Sequence, residues 1–118
     1  MKPTVYIVED DEANRSSLRE VLEIYGYSVV TFATGEDFLD RAEMSGRGCV
    51  ILDVNLPGAS GLEVLQRLRS RQVSIPAVIV SGRATADMRA QASRLEALAF
   101  FEKPIDIDEL VVLIDSAN

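Results

Sequence analysis

The chain has 118 residues and a hydrophobic fraction of 47%, so a single domain over residues 1–118 with its own apolar core is expected. Twelve lysines and arginines against nineteen acidic residues give a net charge of −7, and a surface this acidic repels a phosphate backbone, which argues against direct nucleic-acid binding. The longest uninterrupted apolar runs have five residues, far below the roughly 20 of a membrane-spanning helix, so a cytoplasmic protein without membrane contact is expected.

Five short apolar runs alternate with segments of helical periodicity. The runs are nearly continuous and mostly rich in β-branched or aromatic residues, which is typical of strands buried on both faces of a parallel sheet. They cover residues 5–8, 28–32, 49–52, 77–80 and 97–101. Five repeats of strand and helix predict an α/β fold, a doubly wound five-stranded parallel sheet with five helices on both faces.

The segments between the runs carry apolar residues on one face together with capping residues. Five helices are predicted. The first covers residues 13–25 and ends at Gly26, the second starts at Thr34 as its N-cap, and the third begins at the Ser60-Gly-Leu-Glu63 capping box. The fourth covers residues 84–95, and the fifth begins after Asp106. On the first of these, Leu18, Val21, Leu22 and Tyr25 fall on one face. The segment 84–95 has only Met88 and Leu95 as large apolar residues, and we predict that it is the most weakly anchored helix.

Polar residues follow four of the five predicted strands. The first strand is followed by Glu9 and Asp10, the third by Asp53, the fourth by Ser81 and the fifth by Lys103. In open parallel sheets, ligands bind beyond the carboxyl ends of the strands. The sequence therefore predicts that three acids, a hydroxyl and an ammonium group meet at one edge of the sheet.

This set of side chains suits phosphoryl transfer. Clustered carboxylates are costly unless a cation lies between them, and a few hard oxygen ligands completed by water suit Mg²⁺. Asp10 and Asp53 can each give a carboxylate oxygen, and Glu9 can hold a metal-bound water. The metal, the Lys103 ammonium and the Ser81 hydroxyl can stabilise the phosphoryl oxygens, while one carboxylate acts as the nucleophile and forms an acyl phosphate.

The order and spacing of these residues extend into a family pattern. The pattern consists of Glu9-Asp10, Asp53 followed by Val-Asn-Leu-Pro-Gly and Gly61, then Ser81, and finally Lys103-Pro104. It resembles the receiver domain of bacterial two-component response regulators. The resemblance runs over about residues 4–116. It implies a flavodoxin-like sheet with strand order 2-1-3-4-5.

The resemblance also implies a role for each residue at the acidic edge. Asp53 corresponds to the phosphoacceptor, and Lys103 to the phosphate-contacting lysine that a cis peptide bond usually joins to the next proline. Magnesium is implied on Asp10, on Asp53 and on the backbone carbonyl of Asn55, with Glu9 acting through water.

Two further positions resemble the residues that relay activation. Ser81 corresponds to the switch hydroxyl, and Phe100 to the aromatic that moves inward when that hydroxyl engages the phosphoryl group. Nearby the chain departs from the family pattern: residues 95–97 are Leu-Glu-Ala where many receivers have Ala-Gly-Ala, and Ala99 stands where Asp is common. These departures lie in the relay region and outside the phosphate chemistry.

The partners implied by the resemblance are those of a signalling domain. Such a domain is not an enzyme in its own right, although it assists its own phosphorylation and dephosphorylation. A sensor histidine kinase is expected as donor, a C-terminal or separate output domain as effector, and a second copy in a phosphorylation-dependent homodimer through the face around helix 4, strand 5 and helix 5. Residues 27–39 resemble receivers that precede a LuxR-type helix-turn-helix domain, which points to transcription regulation.

Two alternatives remain open at this stage. A small aspartate-nucleophile phosphatase would need a second acid where this chain has Asn55. A receiver-like interaction module that takes no phosphate would not need the complete set of phosphate-site residues.

The absence of histidine excludes a Ser-His or Cys-His pair and a phosphohistidine carrier. The single cysteine, Cys49, excludes an internal disulfide and a cysteine-based zinc site, and it is expected in the core.

Overall fold

The computed structural model describes residues 2–44 and 47–117. Strands and helices alternate along it as β1 (Thr4–Val8), α1 (Glu12–Ile24), β2 (Ser28–Phe32), α2 (Gly35–Arg41), β3 (Gly48–Asp53), α3 (Gly61–Ser70), β4 (Ala77–Ser81), α4 (Ala86–Arg94), β5 (Ala99–Glu102) and α5 (Ile107–Ala117). All strand pairs are parallel, and the order across the sheet is β2-β1-β3-β4-β5. The predicted doubly wound fold and its strand order are confirmed. Within these residues, no helix is long and apolar enough to cross a membrane.

The sheet separates two apolar layers. Phe38, Leu65 and Ala92 place α2, α3 and α4 on one face, while Leu22 and Leu110 place α1 and α5 on the other. The central strands β3 and β4 are buried along their whole length, which is why their sequences read as continuous apolar runs. The edge strands β2 and β5 are partly exposed.

Cys49 lies in the core, as expected. It is a fully buried free thiol on β3, and burial raises its pKa to about 12. This thiol is therefore an inert packing residue.

The predicted N-caps at Thr34, Ser60 and Asp106 are confirmed, and Asp11 and Thr85 cap two further helices. The side chains of Asp11, Thr34, Ser60 and Thr85 each accept a hydrogen bond from the backbone amide three residues later, and at α3 both bonds of the predicted capping box form. Asp106 likewise accepts from the Glu109 amide at 3.1 Å. These caps start each helix a few residues after a strand ends, which leaves short polar loops at the carboxyl edge of the sheet.

Several element boundaries differ by one or two residues from the sequence prediction, and two of the differences have a clear structural cause. The fifth strand begins at Ala99 rather than at residue 97, because Glu96 adopts φ +57° and the Ala97 amide donates to the Ala92 carbonyl at 3.0 Å. Residue 97 thus closes α4 in a Schellman turn. Tyr25 was predicted on the buried face of the first helix, but it is 39% exposed and caps α1. Its hydroxyl lies 3.1 Å from Asp108 Oδ1 on α5.

Candidate functional site

Buried polar groups collect at one edge of the sheet. Tyrosine aside, the buried polar or charged side chains in the described part of the chain are Glu9, Asp53 and Ser81, with exposed fractions of 8%, 5% and 0%. They lie at the carboxyl ends of β1, β3 and β4, which are neighbours in the sheet. Burial of charged and polar side chains is costly and is tolerated when they pair or serve a function, so this edge is the candidate site.

Lys103 joins the two buried acids. Its ammonium nitrogen lies 2.5 Å from Asp53 Oδ2 and 3.1 Å from Glu9 Oε1. Its backbone amide donates to the Ser81 carbonyl at 2.9 Å, and a cis peptide bond joins it to Pro104. Three of the predicted site residues are therefore in direct contact, and the backbone of Lys103 touches the fourth.

The remaining carboxylate oxygens are held by backbone amides. Asp53 Oδ1 accepts from the Asn55 amide at 2.8 Å, and Glu9 Oε2 accepts from the Asp11 amide at 3.2 Å. Behind Asp53, α3 starts so close that a Cβ on Gly61 would lie 2.3 Å from the Asp53 carbonyl oxygen. The Asn55 amide therefore holds the Asp53 carboxylate, and the start of α3 packs against the Asp53 backbone.

Burial and the contacts within the cluster shift the pKa values of Glu9 and Lys103. Burial raises the pKa of Glu9 above its ordinary value, although hydrogen bonds from the Asp11 amide and from Lys103 act in the opposite direction. Burial would lower the pKa of Lys103, but its hydrogen bonds to Asp53 and Glu9 outweigh that effect and its pKa is raised. Two carboxylates share one ammonium group, so the site has a negative charge to spare when both acids are ionised.

This surplus charge fits a cation. Among residues 2–44 and 47–117, however, no group of three or more His, Cys, Asp and Glu side chains is assembled to hold a metal ion. Asp10 is exposed, and Arg15 holds the neighbouring backbone by donating to the carbonyls of Glu9 and Asp10 at 2.9 and 3.4 Å. A magnesium ion here would need backbone and water oxygens besides carboxylates, which agrees with the predicted set of Asp10, Asp53 and the Asn55 carbonyl, with Glu9 through water. That set stays a prediction.

The two predicted switch residues contact α4. The Ser81 hydroxyl accepts from the Arg83 amide at 3.1 Å and donates to Met88 Sδ at 3.9 Å. Phe100, on β5, lies under the Arg89 guanidinium, with 4.8 Å between Cζ and the ring centroid. Neither Met88 nor Arg89 was singled out as a site residue from the sequence, because each contact depends on how α4 packs against the sheet.

An open groove leads to the site from the side of α1. Its volume is about 510 Å³, and Glu9 and Lys103 are among the residues that line it. Leu18, Val21 and Ile107 line its apolar walls. The ion pair at the sheet edge is therefore accessible from outside.

Comparisons with known proteins agree with this geometry. The family model described as the response regulator receiver domain matches residues 5–115. The transcriptional regulatory protein FixJ of Bradyrhizobium diazoefficiens is 36% identical over 116 residues, which cover 98% of this chain and 57% of the relative. The response regulator protein TodT of Pseudomonas putida is 35% identical over 113 residues, covering 96% of this chain and 50% of TodT.

A solved structure gives the same result. The crystal structure of FixJ-N superimposes with a TM-score of 0.88 at 31% identity, over 99% of this chain and 94% of that one. The chain spans about half the length of the curated relatives it matches. On the family match and these identities, the chain belongs to the response regulator receiver domain family.

Proposed function

We propose that Asp53 accepts a phosphoryl group from the phosphohistidine of a sensor histidine kinase, in a magnesium-dependent reaction. The observation that carries this proposal is the burial of Asp53 at the centre of the sheet edge, with the Lys103 ammonium 2.5 Å from its carboxylate. A buried carboxylate with a cation at that distance is held in one orientation and placed to act as a nucleophile.

The reaction uses the groups already in contact. An Asp53 oxygen forms the new P–O bond as the P–N bond to the donor histidine breaks, and the electron pair of that bond leaves with the imidazole. Asp10, Asp53 and the Asn55 carbonyl, with Glu9 through water, would hold a magnesium ion, which would supply positive charge for the phosphoryl oxygens. Lys103 moves its hydrogen bond from the carboxylate to a phosphoryl oxygen, where the developing negative charge is larger.

Ser81 and Phe100 report the change to the surface. The Ser81 hydroxyl turns from Met88 to a phosphoryl oxygen, and the Phe100 ring moves into the space it leaves. Because α4 has a single fully buried residue, Ala92, a small change of free energy shifts its packing. We propose that the face formed by α4, β5 and α5 then pairs with a second copy or with an output domain.

The relatives suggest what this receiver regulates. Transcriptional regulatory proteins of about twice this length match the chain, so we propose that the receiver controls a DNA-binding output domain in the cytoplasm. The groove lined by Glu9 and Lys103 leaves the α1 side of the site open to the donor kinase. The comparisons lend no support to a phosphatase or to a module that takes no phosphate.

The test is a labelling experiment with a small phosphodonor. The protein is incubated with Mg²⁺ and acetyl phosphate, and intact masses are measured beside Asp53→Asn and beside a sample with excess chelator. One added phosphoryl group on the wild type alone supports the proposal. Equal labelling of Asp53→Asn would contradict Asp53 as the acceptor. Unchanged labelling in the presence of the chelator would contradict the metal requirement.

A further inference from the structure

The C-terminal end of helix α4 is tied to its neighbours by hydrogen bonds from α3. At its C-terminal end the Arg69 guanidinium of α3 donates to the carbonyls of Leu95 and Glu96 at 2.8 and 3.2 Å. The same guanidinium donates to Val73 and Ile75 at 2.9 and 3.0 Å. These bonds tie the end of α4 to the loop before β4, so any rearrangement of the helix is concentrated at its N-terminal turn.

That N-terminal turn contacts both switch residues. Met88 Sδ takes the hydrogen bond of the Ser81 hydroxyl at 3.9 Å, and the next residue, Arg89, places its guanidinium 4.8 Å from the centroid of the Phe100 ring. Two consecutive side chains of one helix therefore hold the two residues through which the signal is proposed to pass.

Both contacts are weak enough to be exchanged. A thioether sulfur is a poor acceptor, so a charged phosphoryl oxygen outcompetes Met88 for the buried Ser81 hydroxyl. Arg89 is exposed, and a cation–π contact at an exposed site is modest. The two contacts are therefore able to bias the resting state without preventing phosphorylation.

We infer that Met88 and Arg89 form a latch on α4 that holds Ser81 and Phe100 in their unphosphorylated positions. This inference rests on the proposed function, since it assigns positioning residues to the same switch. Release of the latch raises the fraction of molecules already in the phosphate-competent packing, and apparent affinity for a phosphoryl mimic rises in proportion to that fraction.

The test uses beryllofluoride with Mg²⁺ as the phosphoryl mimic, with its affinity measured by titration. Met88→Leu keeps the packing volume and removes the acceptor, and Arg89→Gln removes the cation from an exposed position. Each variant should bind beryllofluoride roughly two- to five-fold more tightly than the wild type. Arg94→Gln, an equal loss of charge in the last turn of the same helix, should bind like the wild type.

To distinguish a latch from a merely structural role, the beryllofluoride affinity of each latch variant is measured again in a protein that lacks the switch residue it contacts. In Ser81→Ala the Met88→Leu change should leave affinity unaltered, and in Phe100→Leu the Arg89→Gln change should do so as well. Wild-type affinity in both latch variants, or gains that persist in those backgrounds, would overturn the latch while Asp53 still binds the mimic. If the wild type binds no beryllofluoride at all, the proposed function fails and the latch with it.

Discussion

Replacing Lys103 with Met should destabilise the chain in a way that depends on pH and on magnesium. The Lys103 ammonium bridges Glu9 and Asp53, whose carboxyl side chains are only 11% and 6% exposed. Without it, two buried carboxylates lie next to each other with no cation between them. Methionine is close to the lysine stem in length, so the apolar packing of that stem is largely preserved.

The magnitude follows from the burial of each partner. Breaking a buried pair by removing one partner costs about 3–5 kcal/mol. The Lys103 side chain is 34% exposed, so solvent screening reduces the cost to roughly 1–3 kcal/mol at pH 7.5.

The sign of the pH dependence comes from Glu9. Its pKa is already raised by burial, and loss of Lys103 raises it further. Below the unfolded pKa of 4.5 Glu9 is neutral in both states, and the variant loses less stability than it does at pH 7.5. As pH rises through the folded pKa the buried charge must form, and the gap to the wild type widens.

Urea denaturation at pH 4.5 and 7.5, with and without Mg²⁺, measures this effect. Lys2→Met is the matched control, because Lys2 pairs with Asp115 at a site where the two side chains are 40% and 45% exposed, and that loss should cost under about 1 kcal/mol at either pH. Magnesium should restore part of the stability of Lys103→Met at pH 7.5. If Lys103→Met loses no more than Lys2→Met at pH 7.5, the electrostatic account of the site is wrong.

Three further substitutions test the scaffold. Glu96→Gly should raise the free energy of unfolding by about 0.5–1 kcal/mol in urea, because residue 96 has φ +57°; a lower stability would contradict the Schellman turn. Gly61→Ala should cost about 1–3 kcal/mol and slow labelling by acetyl phosphate, since its Cβ would lie 2.3 Å from the Asp53 carbonyl oxygen; unchanged stability and labelling would refute that close approach. Tyr27→Phe should lower the thermal midpoint, with a loss of about 1 kcal/mol, because its hydroxyl donates to Asp115 Oδ1 at 2.6 Å; an unchanged midpoint would show that this bond adds nothing.

Much of the site could be predicted because it depends on local sequence and topology. A buried parallel strand reads as a continuous apolar run, and the residue that ends it lies at the carboxyl edge of the sheet. Glu9, Asp53, Ser81 and Lys103 were placed at that edge by this reasoning, and the structure brings them together there. Capping residues such as Thr34 were equally readable because their partners lie three residues away.

The rest depends on contacts between distant elements. The contact of Met88 with Ser81 joins a helix to a strand, and the hold of Arg15 on the loop after β1 is set by one side-chain conformation. Apolar periodicity put Tyr25 on the buried face, but the helix ends there and its hydroxyl reaches solvent and Asp108. The start of β5 was misplaced because Glu96, rather than glycine, adopts the left-handed turn.

The central claim is that Asp53 is the residue that carries the phosphoryl group. After labelling with acetyl phosphate and Mg²⁺, borohydride reduction converts an aspartyl phosphate to homoserine, and peptide mass spectrometry then locates the altered residue. The account predicts homoserine at position 53, with Glu9 and Asp10 unchanged. Reduction at position 10, or at any acid other than Asp53, would contradict it.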